Sequence, residues 1–320
     1  MNRCCVRILL LSLGLIALVP LALGGAGVTF QKGDGKVDIL IDGKVFTTYY
    51  HASDQVKPYF HPLRAADGRV MTRAYPMDKS APGEEKDRDH PHHRSCWYTH
   101  GDVNGVDYWG EAAKRQGKIV HRQIDKAEGG QTGVLATTMD WIDDTGKRVL
   151  VQSQEVRFQG DNSRRIMDFR ITFTAGDQDV KFGDTKEGSF GVRLATPLKE
   201  TNGGVITNSK GATGMKGCWG KAADWVDYAG ALGGGKVGVA IMDHPTNPRY
   251  PTTWHVRDYG LFAVNPFGLH DFLNDPKQDG SLTIKKGESV TFKYRILIHE
   301  GDTGTAKIAD EYKAYTSQVR

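Results

Sequence analysis

The stretch GKVDILIDGKVFTTYYH, residues 35–51, decides the fold class of this chain. Val37, Ile39 and Ile41 recur at every second position, so an extended backbone would place their side chains on one face. Gly43 follows, and a glycine between two such runs is typical of a hairpin turn. The stretch therefore predicts two antiparallel strands with one buried face.

Six further runs with strand character follow the first one. Glycine-containing turns separate them, at residues 144–146, 160–162, 203–204 and 233–235. Many short strands joined by such turns predict an antiparallel sandwich or barrel. The runs are TGVLATTMDWID (132–143), RVLVQSQEVRF (148–158), RRIMDFRITFTA (164–175), FGVRLATP (190–197), KVGVAIMDHP (236–245) and SVTFKYRILIHEG (289–301).

Helical patterns are few. The clearest is GTAKIADEYKAYTSQ, residues 304–318, where Ile308, Tyr312 and Tyr315 share one helical face. The chain has no fixed-period repeat and no clear linker. We therefore expect residues 27–320 to form a single all-β domain, a large antiparallel β-sandwich with few short helices.

The first 26 residues predict a secretory signal peptide. Arg3 and Arg7 precede an uncharged apolar run, residues 8–23, and the small residues 24–27 follow it. This order is typical of a cleaved export signal. The run is shorter than the roughly 20 residues of a membrane-spanning helix, which disfavours a retained anchor. The mature protein is expected to be periplasmic or extracellular, without stable membrane insertion.

Composition limits the partners that this chain can have. The net charge of +4 is small for 320 residues, and no run of Lys or Arg forms a basic patch. Nucleic acid is therefore not an expected partner. Cys96 and Cys218 follow the predicted signal peptide, and they could form a disulfide or stay two thiols. Cys96 lacks the Cys-x-x-Cys spacing of redox and zinc motifs, so it is assigned no catalytic role.

The candidate site begins in DHPHHRSCWYTHGDVNGVDYWGE, residues 89–111, which holds four of the eleven histidines. In an extended segment His90 and His92 point the same way and His93 points the opposite way. A His-x-His pair on one face could bind a divalent metal if a third ligand converges. No cofactor is assigned, because the sequence does not determine that ligand. The candidates for it are His61, His100, His244, His255 and Asp102.

An acid–base role needs fewer assumptions. The unperturbed pKa of histidine lies nearest neutrality, so this side chain can both give and accept a proton. A nearby carboxylate would orient the ring, and Asp89, Asp102 and Glu187 are the candidates. Glu187 lies in FGDTKEGSFGVR, residues 182–193, where a carboxylate among glycines enters a strand. The predicted catalytic residues are His90, His92, His93, Glu187 and His255.

A third polar cluster, MDHPTNPRYPTTWHVRDYGLFAVNPFG, covers residues 242–268. It repeats the Asp-His-Pro tripeptide of residues 89–91, and its prolines predict a rigid loop. Tryptophan beside His, Asp and Arg suits a sugar, because aromatic rings pack on the sugar face and polar groups bind its hydroxyls. The predicted substrate-binding residues are Trp97 and Trp254 for stacking, Arg64, Arg193 and Arg257 for orientation, and His61, His100, Asp102, Asp243, His244 and Asp258.

At these residues the chain resembles the PmoA-like family of exported bacterial proteins, also called methane oxygenase PmoA. The resemblance covers nearly the whole chain after residue 26. The family name implies an oxygenase. The hallmarks are KPYFHPLR (57–64), DHPHHRS.W..HGDVNGVDYW (89–109), DTKEGSFGVR (184–193), DHPTNPRYPTTWHVRDYGL (243–261) and NPFG (265–268).

A looser resemblance is to galactose-mutarotase-like sandwiches. SLTIKKGESVTFKYRILIH, residues 281–299, is similar to their closing strands, with a Gly-Glu turn before a long strand. The resemblance implies a mutarotase-like fold in which a His donates to the sugar ring oxygen and a Glu removes the anomeric proton. The counterparts would be a histidine of residues 89–111 and Glu187, although mutarotases carry that Glu later in the chain.

The residues leave three functional hypotheses open. The first is an exported carbohydrate-active protein with His and carboxylate acid–base chemistry, acting as an epimerase, lyase or hydrolase on a sugar or sugar derivative. The second is a non-catalytic carbohydrate-binding protein, which needs aromatic stacking but no convergent His and Glu. The third is a metal-dependent oxygenase in which His90, His92 and Asp102 hold non-haem iron.

Overall fold

The computed structural model describes residues 27–317, and the predicted signal peptide, residues 1–26, lies outside the described residues. The described part is built almost wholly from strands, with three short α-helices, α1 (Gly214–Cys218), α2 (Leu269–Leu273) and α3 (Ile308–Thr316). The strands are β1 (Val28–Gly33), β2 (Lys36–Ile41), β3 (Lys44–Tyr50), β4 (Tyr59–His61), β5 (Cys96–His100), β6 (Lys118–Glu128), β7 (Gly133–Ile142), β8 (Arg148–Gly160), β9 (Arg164–Ala175), β10 (Val180–Phe182), β11 (Gly188–Arg193), β12 (Val205–Asn208), β13 (Trp225–Leu232), β14 (Gly235–Asp243), β15 (Trp254–Val256), β16 (Leu261–Val264), β17 (Leu282–Ile284) and β18 (Ser289–Glu300).

Sixteen of the described strands form two sheets of eight. The strand order is β1-β2-β3-β4-β5-β11-β16-β15 in the first sheet and β12-β13-β14-β18-β9-β8-β7-β6 in the second. β10 and β17 form a small separate pair. Neighbouring strands in these sheets run antiparallel. The predicted all-β class, with an antiparallel sandwich and few short helices, is therefore confirmed.

The opening stretch forms the hairpin β2–β3, as predicted. The side chains of Val37, Ile39 and Ile41 are buried in the core. Asp42 and Gly43 form the turn, with φ angles of 55° and 74°. Positive φ at both central positions is the geometry of a type I′ turn, whose twist matches that of the flanking strands. The turn residues and the alternation therefore specify the same pairing.

The six further predicted runs all contain a strand, namely β7, β8, β9, β11, β14 and β18. The predicted C-terminal helix is α3, and its Ile308 and Tyr315 are buried. These two side chains pack with Trp225 and Met242 in a cluster separate from the main core. The helix therefore covers the face of the second sheet that is turned away from the first sheet.

Aromatic side chains fill the space between the two sheets. Phe173 of β9 lies 5.0 Å from Tyr98 of β5, measured between ring centroids. Phe169 of β9 lies 4.7 Å from Phe190 of β11. Both pairs join a strand of the second sheet to a strand of the first. Because protein cores are packed as densely as organic crystals, these rings set the distance between the sheets.

The first sheet also has a buried outer face. Strand alternation sends Cys96 and Tyr98 into the core and Trp97, between them, to the opposite side. Phe262 and Ala263 are divided between the two faces in the same way. The candidate site lies on this outer face. Its apolar base consists of Tyr59, Trp97, Trp109, Leu261 and Ala263.

Residues 76–95 form the long connection into β5, without helix or strand. The polar, charge-rich sequence predicts an exposed loop here, and the structure departs from that prediction at three side chains of the second half. Asp87 is 4% exposed, His93 is 1% exposed and Ser95 is fully buried. The polar composition is misleading because these side chains find charged and hydrogen-bonding partners inside the protein.

Cys96 and Cys218 are free thiols, and both are buried. Burial raises the pKa of both thiols, to about 11 for Cys218. Within residues 27–317, no helix has the length and apolar character that crossing a membrane requires.

Replacing Phe173 with alanine tests the packing between the sheets. The ring is fully buried, so its loss should lower the free energy of unfolding by about 3–5 kcal/mol through lost contacts and a cavity. Urea unfolding measures this change. The control is Val205→Ala, at a side chain that is 52% exposed, where the change should stay within about 0.5 kcal/mol. Equal effects of the two substitutions would contradict this account of the core.

Candidate functional site

A cleft opens on the outer face of the first sheet. It holds about 960 Å³ of space, counting the part that is open to solvent. Arg257 from the predicted substrate-binding set lines it, and so do all five predicted catalytic residues, His90, His92, His93, Glu187 and His255. The other lining residues are Asp107, Trp109, Gly110, Lys186 and Tyr259.

β15 and β11 supply one side and the base of the cleft. His255 and Arg257 stand two positions apart with the core residue Val256 between them, so both face the cleft. Gly191 of β11 leaves room for the indole of Trp97 beneath the cleft. A Cβ at Gly191 would lie 3.0 Å from the indole ring, which is closer than a packed side chain normally allows. Alternation and one glycine thus build this part of the site.

Ion pairs with two buried arginines hold the histidine loop, residues 87–93, against the sheet. Arg193 of β11 is fully buried, and its Nη2 donates to Asp87 Oδ1 at 3.1 Å and to Asp89 Oδ1 at 2.6 Å. Arg73 is also fully buried, and its Nη1 donates to Asp89 Oδ1 at 2.5 Å. Removing one partner from such a network leaves an uncompensated buried charge. The loop is therefore anchored from two directions.

The same network shapes the backbone at His90. Arg73 Nη2 donates to the His90 carbonyl oxygen at 3.0 Å, and His90 Nδ1 lies 3.1 Å from Asp89 Oδ2. Burial alone would raise the pKa of Asp89, but the His90 ring and the guanidiniums of Arg193 and Arg73 hold it below its usual range. His90 has φ 43°, in the left-handed region. The extended geometry that the sequence suggests for this segment is therefore wrong.

Four rings stack from the rim of the cleft to its base. Tyr259 and His90 are 5.0 Å apart and nearly parallel, and His90 and His93 are 4.8 Å apart at 5°. Trp97 continues the stack 5.3 Å from His93. His92 stands edge-on to His93, at 4.5 Å and 80°. The predicted pairing of His90 with His92 is thus replaced by a stacked pair of His90 and His93.

His93 is held as a neutral imidazole in one tautomer. Arg193 Nη1 donates to His93 Nδ1 at 3.1 Å, so Nδ1 accepts and the proton of the neutral ring lies on Nε2. Burial and then the neighbouring charges of His92 and Arg193 lower the pKa of His93 well below its ordinary value. The His93 ring therefore lines the cleft as an uncharged group.

His92 and His255 are neutral for the same physical reason. Burial, followed by the charges of Lys57 and His90, lowers the pKa of His92 to about 4. Burial, followed by the charge of Arg257, lowers the pKa of His255 to about 3. His255 Nδ1 is buried and has no hydrogen-bond partner among the described residues. Both rings are therefore uncharged at neutral pH and can accept a proton.

Glu187 has the opposite shift. Burial raises its pKa, and Lys186 opposes that shift in part. Its carboxylate has no hydrogen bond or ion pair to another residue in the described part of the chain. The backbone is firmly held, since Gly101 N donates to the Glu187 carbonyl oxygen at 2.7 Å and a Cβ at Gly101 would lie 2.8 Å from Glu187 Cβ. The carboxyl group is positioned in the cleft by its backbone and is free to react.

Two cations border Glu187 and His255. The guanidinium of Arg257 lies 5.5 Å from the ring centre of Tyr259, and it donates no hydrogen bond to the described residues. Its Nε is buried without a partner. Lys186 Nζ is 3.8 Å from Asp271 Oδ1, a loose contact for an ion pair.

A turn at residues 107–111 forms the opposite wall. Asp107 Oδ1 accepts hydrogen bonds from the backbone N–H groups of Trp109, at 2.7 Å, and Gly110, at 3.0 Å. Lys57 is buried, donates to the Trp109 carbonyl oxygen at 3.1 Å, and lies 3.1 Å from a carboxylate oxygen of Glu111. A buried lysine and a capped turn therefore hold this wall in place.

Sequence reasoning did not select four residues whose side chains line the cleft, which Gly110, without a side chain, also borders. Asp107 and Trp109 belong to the quoted motif, and Lys186 is the neighbour of a predicted residue. Tyr259 lies two positions after Arg257, which places it on the same side of an extended segment. Their closeness in the sequence to selected residues was thus the signal that could have identified them. The missed residues are Asp107, Trp109, Lys186 and Tyr259.

Both predicted stacking residues are covered. Trp254 is fully buried, and its Nε1 donates to the Ala223 carbonyl oxygen at 3.0 Å. Trp97 is 2% exposed and lies beneath His93. Neither ring offers a face to a sugar, so the predicted direct stacking does not fit the structure. Aromatic composition alone does not distinguish a ring in the core from a ring at the surface.

Arg193 and His100 also have internal partners. Arg193 serves the ion network beneath the cleft and does not line it. His100 Nε2 donates to the Gly183 carbonyl oxygen at 2.8 Å, and Ser189 Oγ lies 3.3 Å from His100 Nδ1. The side chain is fully buried beside Phe267. These two residues stabilise the fold around the cleft.

The remaining predicted binding residues lie outside the cleft. Asp243 is buried, accepts a hydrogen bond from Asn247 Nδ2 at 2.7 Å, and has its pKa raised by burial to about 7. His244 packs against Tyr315 of α3, away from the first sheet. The others that do not line the cleft are His61, Arg64, Asp102 and Asp258.

No group of three His, Cys, Asp or Glu side chains within residues 27–317 is arranged to hold a metal ion. His255 shares the cleft with His90 and His92, whereas the other third-ligand candidates lie outside it. The metal site and the oxygenase hypothesis thus gain no support from the side-chain arrangement.

Residues 36–313 match a family model described as "Family of unknown function (DUF6807)". No curated protein matches the chain. The PmoA-like resemblance stays a prediction.

The chain is similar to several solved structures at low identity. An alpha-galactosidase from Lactobacillus brevis is 9% identical with a TM-score of 0.39, over 86% of this chain and 39% of that one. A GH36 alpha-galactosidase from Geobacillus stearothermophilus is 11% identical with a TM-score of 0.37, over 86% and 41%. A galactose mutarotase related enzyme from Lactobacillus acidophilus is 10% identical with a TM-score of 0.32, over 86% and 98%. This chain spans about two fifths of the two galactosidases.

Replacing Arg193 with methionine tests the anchor of the histidine loop. Asp87 and Asp89 would lose a buried donor, so the free energy of unfolding should fall by about 3 kcal/mol or more. Urea unfolding measures the change. The control is Arg157→Met, since Arg157 pairs with Glu155 where the side chains are 40% and 34% exposed, and little change is expected there. A loss below about 1 kcal/mol for Arg193→Met would contradict the anchoring role.

The buried His100 should make stability depend on pH. Burial lowers its pKa to about 4, below the ordinary 6.5, so the unfolded chain takes up this proton first. Its contribution to stability is complete above about pH 6.5 and is lost as pH falls towards about 4. In His100→Gln the slope of the unfolding free energy against pH should fall by up to about 1.4 kcal/mol per pH unit in this window. The destabilised variant Phe173→Leu, which keeps His100, should retain the slope. Equal slopes in wild type and His100→Gln would refute the assignment.

Proposed function

The chain belongs to the family of unknown function DUF6807, and we propose that it is a carbohydrate-active enzyme. In this proposal, acid–base chemistry in the cleft moves protons on a sugar or sugar derivative. One observation carries the proposal. Glu187, with a raised pKa and an unpartnered carboxylate, shares the cleft with histidines that are neutral at working pH.

The two kinds of group suit opposite halves of a proton transfer. A raised pKa brings the Glu187 carboxyl nearer to neutrality, where it can act as an acid or as a base. His92 and His255 are already uncharged, so each can accept a proton without first losing one. Groups whose environments push their pKa values in opposite directions are typical of acid–base sites.

The cleft favours an epimerase or lyase over a hydrolase. Hydrolysis by the usual route needs two carboxylates across the glycosidic bond. Asp107 is the second carboxylate in the cleft lining, but its Oδ1 accepts two backbone hydrogen bonds and holds a turn. Proton transfer between Glu187 and a histidine needs no second reactive carboxylate.

The walls of the cleft suit a sugar. Tyr259 contributes an aromatic ring, and charged and polar side chains surround it. Sugar rings combine apolar faces with hydroxyl groups, which such mixed surfaces bind well. The predicted signal peptide is part of the proposal, so the enzyme would act in the periplasm or outside the cell on a carbohydrate.

Substituting Glu187 with glutamine tests the proposal. Glutamine keeps the shape but cannot exchange a proton, so turnover should fall by about 10²–10⁴-fold. Proton exchange and product formation can be followed by NMR in D₂O with a panel of sugars and sugar derivatives. Binding of the active sugar should change little. The control is Glu128→Gln, at a side chain that is 67% exposed on β6.

A second substitution separates catalysis from binding. In His92→Ala, lost turnover with retained binding supports acid–base catalysis. Unchanged turnover removes His92 from the mechanism. If the wild-type protein binds sugars but neither exchanges protons nor forms product with any of them, the non-catalytic carbohydrate-binding hypothesis replaces the proposal.

A further inference from the structure

We propose that the substrate of this cleft is a sugar acid whose carboxylate binds Arg257, with Lys186 beside it. This inference rests on the proposed function and adds the chemical class of the substrate. It follows from a contrast among the arginines around the cleft.

Three arginines near the cleft have carboxylate partners inside the protein. Arg73 and Arg193 bind Asp89, as described above. Arg94 forms a two-point pair with Glu111, with its Nε at 2.7 Å and its Nη2 at 2.6 Å from the carboxylate oxygens. This is the geometry in which arginine binds carboxylates most strongly. The charge of each of these arginines is therefore balanced inside the fold, although the Nε of Arg193 is itself buried without a hydrogen-bond partner.

Arg257 differs from all three. Its guanidinium donates no hydrogen bond to the described residues, and its Nε is buried without a partner. Leaving a buried donor unpaired is costly, and native structures rarely do so without a reason. A ligand that accepts these hydrogen bonds would remove the cost.

The guanidinium is nevertheless held in place. It lies against the ring of Tyr259. That ring also stacks on His90, and the guanidinium of Arg193 lies 4.9 Å from its centre. The ring therefore connects the free cation to the anchored stack. A planar, pre-oriented guanidinium loses little freedom when it binds a carboxylate.

Arg257 forms no ion pair with a carboxylate of the described residues. Lys186 adds a second cation, and its nearest carboxylate, on Asp271, is 3.8 Å away. His255 is next to Arg257 on the same face and offers a buried, unpartnered Nδ1. Among the lining carboxylates, Asp107 holds its own turn and Glu187 makes no ion pair with Arg257. A ligand carboxylate would supply the missing negative charge.

A carboxylate at Arg257 would also serve the proposed chemistry. When the C–H bond next to a carboxylate breaks, the proton passes to a base and the electron pair moves onto the carboxylate. The second negative charge that develops there would be stabilised by the adjacent guanidinium. Return of a proton to the opposite face gives the epimer. Alternatively, the electron pair forms a double bond while the β-hydroxyl or β-alkoxy group takes the C–O pair and a proton from an acid of the cleft, and leaves as water or an alcohol. Neither outcome needs an oxidant or reductant.

Binding of matched acidic and neutral sugars tests the inference. The probes are glucuronate, galacturonate and mannuronate against glucose, galactose and mannose, measured by isothermal titration calorimetry at two salt concentrations. At least one acid should bind at least about 10-fold more tightly than its neutral partner, since charge-assisted pairs are the strong ones. The preference should weaken at the higher salt concentration.

Substitution of Arg257 assigns the preference to this residue. Arg257→Gln should remove most of the preference while leaving the thermal melting temperature close to that of the wild type, since the side chain has no internal hydrogen bond. Arg257→Lys should restore part of the binding. The control is Arg157→Gln, an exposed arginine on β8, which should keep the preference. No acid binding, equal binding of acids and neutral sugars, or a preference that survives Arg257→Gln would overturn the inference.

The outcomes separate this inference from the proposed function. Acid-selective binding that needs Arg257, without any turnover, would support the substrate class and count against the enzyme. If the protein turns over a neutral sugar, loses that turnover in Glu187→Gln and shows no preference for acids, the enzyme is supported and the substrate class is not. Glu187→Gln should keep acid binding in either case.

Discussion

The pairing of two buried arginines with the aspartates of the histidine loop is the constraint on which the site depends. Arg73 and Arg193 are fully buried, and both donate to Asp89. Taking such charges out of water is expensive, and the cost is offset when they are paired and hydrogen-bonded. The pairing brings a polar loop onto the sheet and gives His93 a fixed tautomer through Arg193. Without it, His90 and His93 would not be held against Trp97 in the ring stack.

The charged groups beneath the cleft therefore differ from those in it. In the buried layer, Arg73 and Arg193 both have carboxylate partners. In the cleft above it, burial lowers the pKa of His92 and His255 and raises that of Glu187, and Arg257 has no hydrogen-bond partner among the described residues. The lower layer supplies rigidity and the upper layer keeps its polar groups available. This division is what a site needs if its reactive groups are to be held still and left free.

The strands could be predicted from the sequence, and five selected His and Glu side chains do share one cleft, whereas only Arg257 of the predicted binding residues lines it. His90, His92, His93, Glu187 and His255 all line one cleft, because they lie in loops and strand ends on one face of the first sheet. His100 and Trp254 have the same composition and similar neighbours in the sequence, yet they are buried with internal partners. Residue type and spacing do not report which side chains other segments will cover.

The sequence by itself determined the antiparallel sandwich, since alternation and turn residues act through local backbone geometry over a few positions. It also indicated which segments would line the cleft. The tertiary structure alone decided which of those side chains meet, which are neutral and which cation is left unpaired. The reason is that each of these properties arises from partners far apart in the chain, as His93 and Arg193 are, separated by 100 positions. Burial and pairing exist only when distant segments have been packed together.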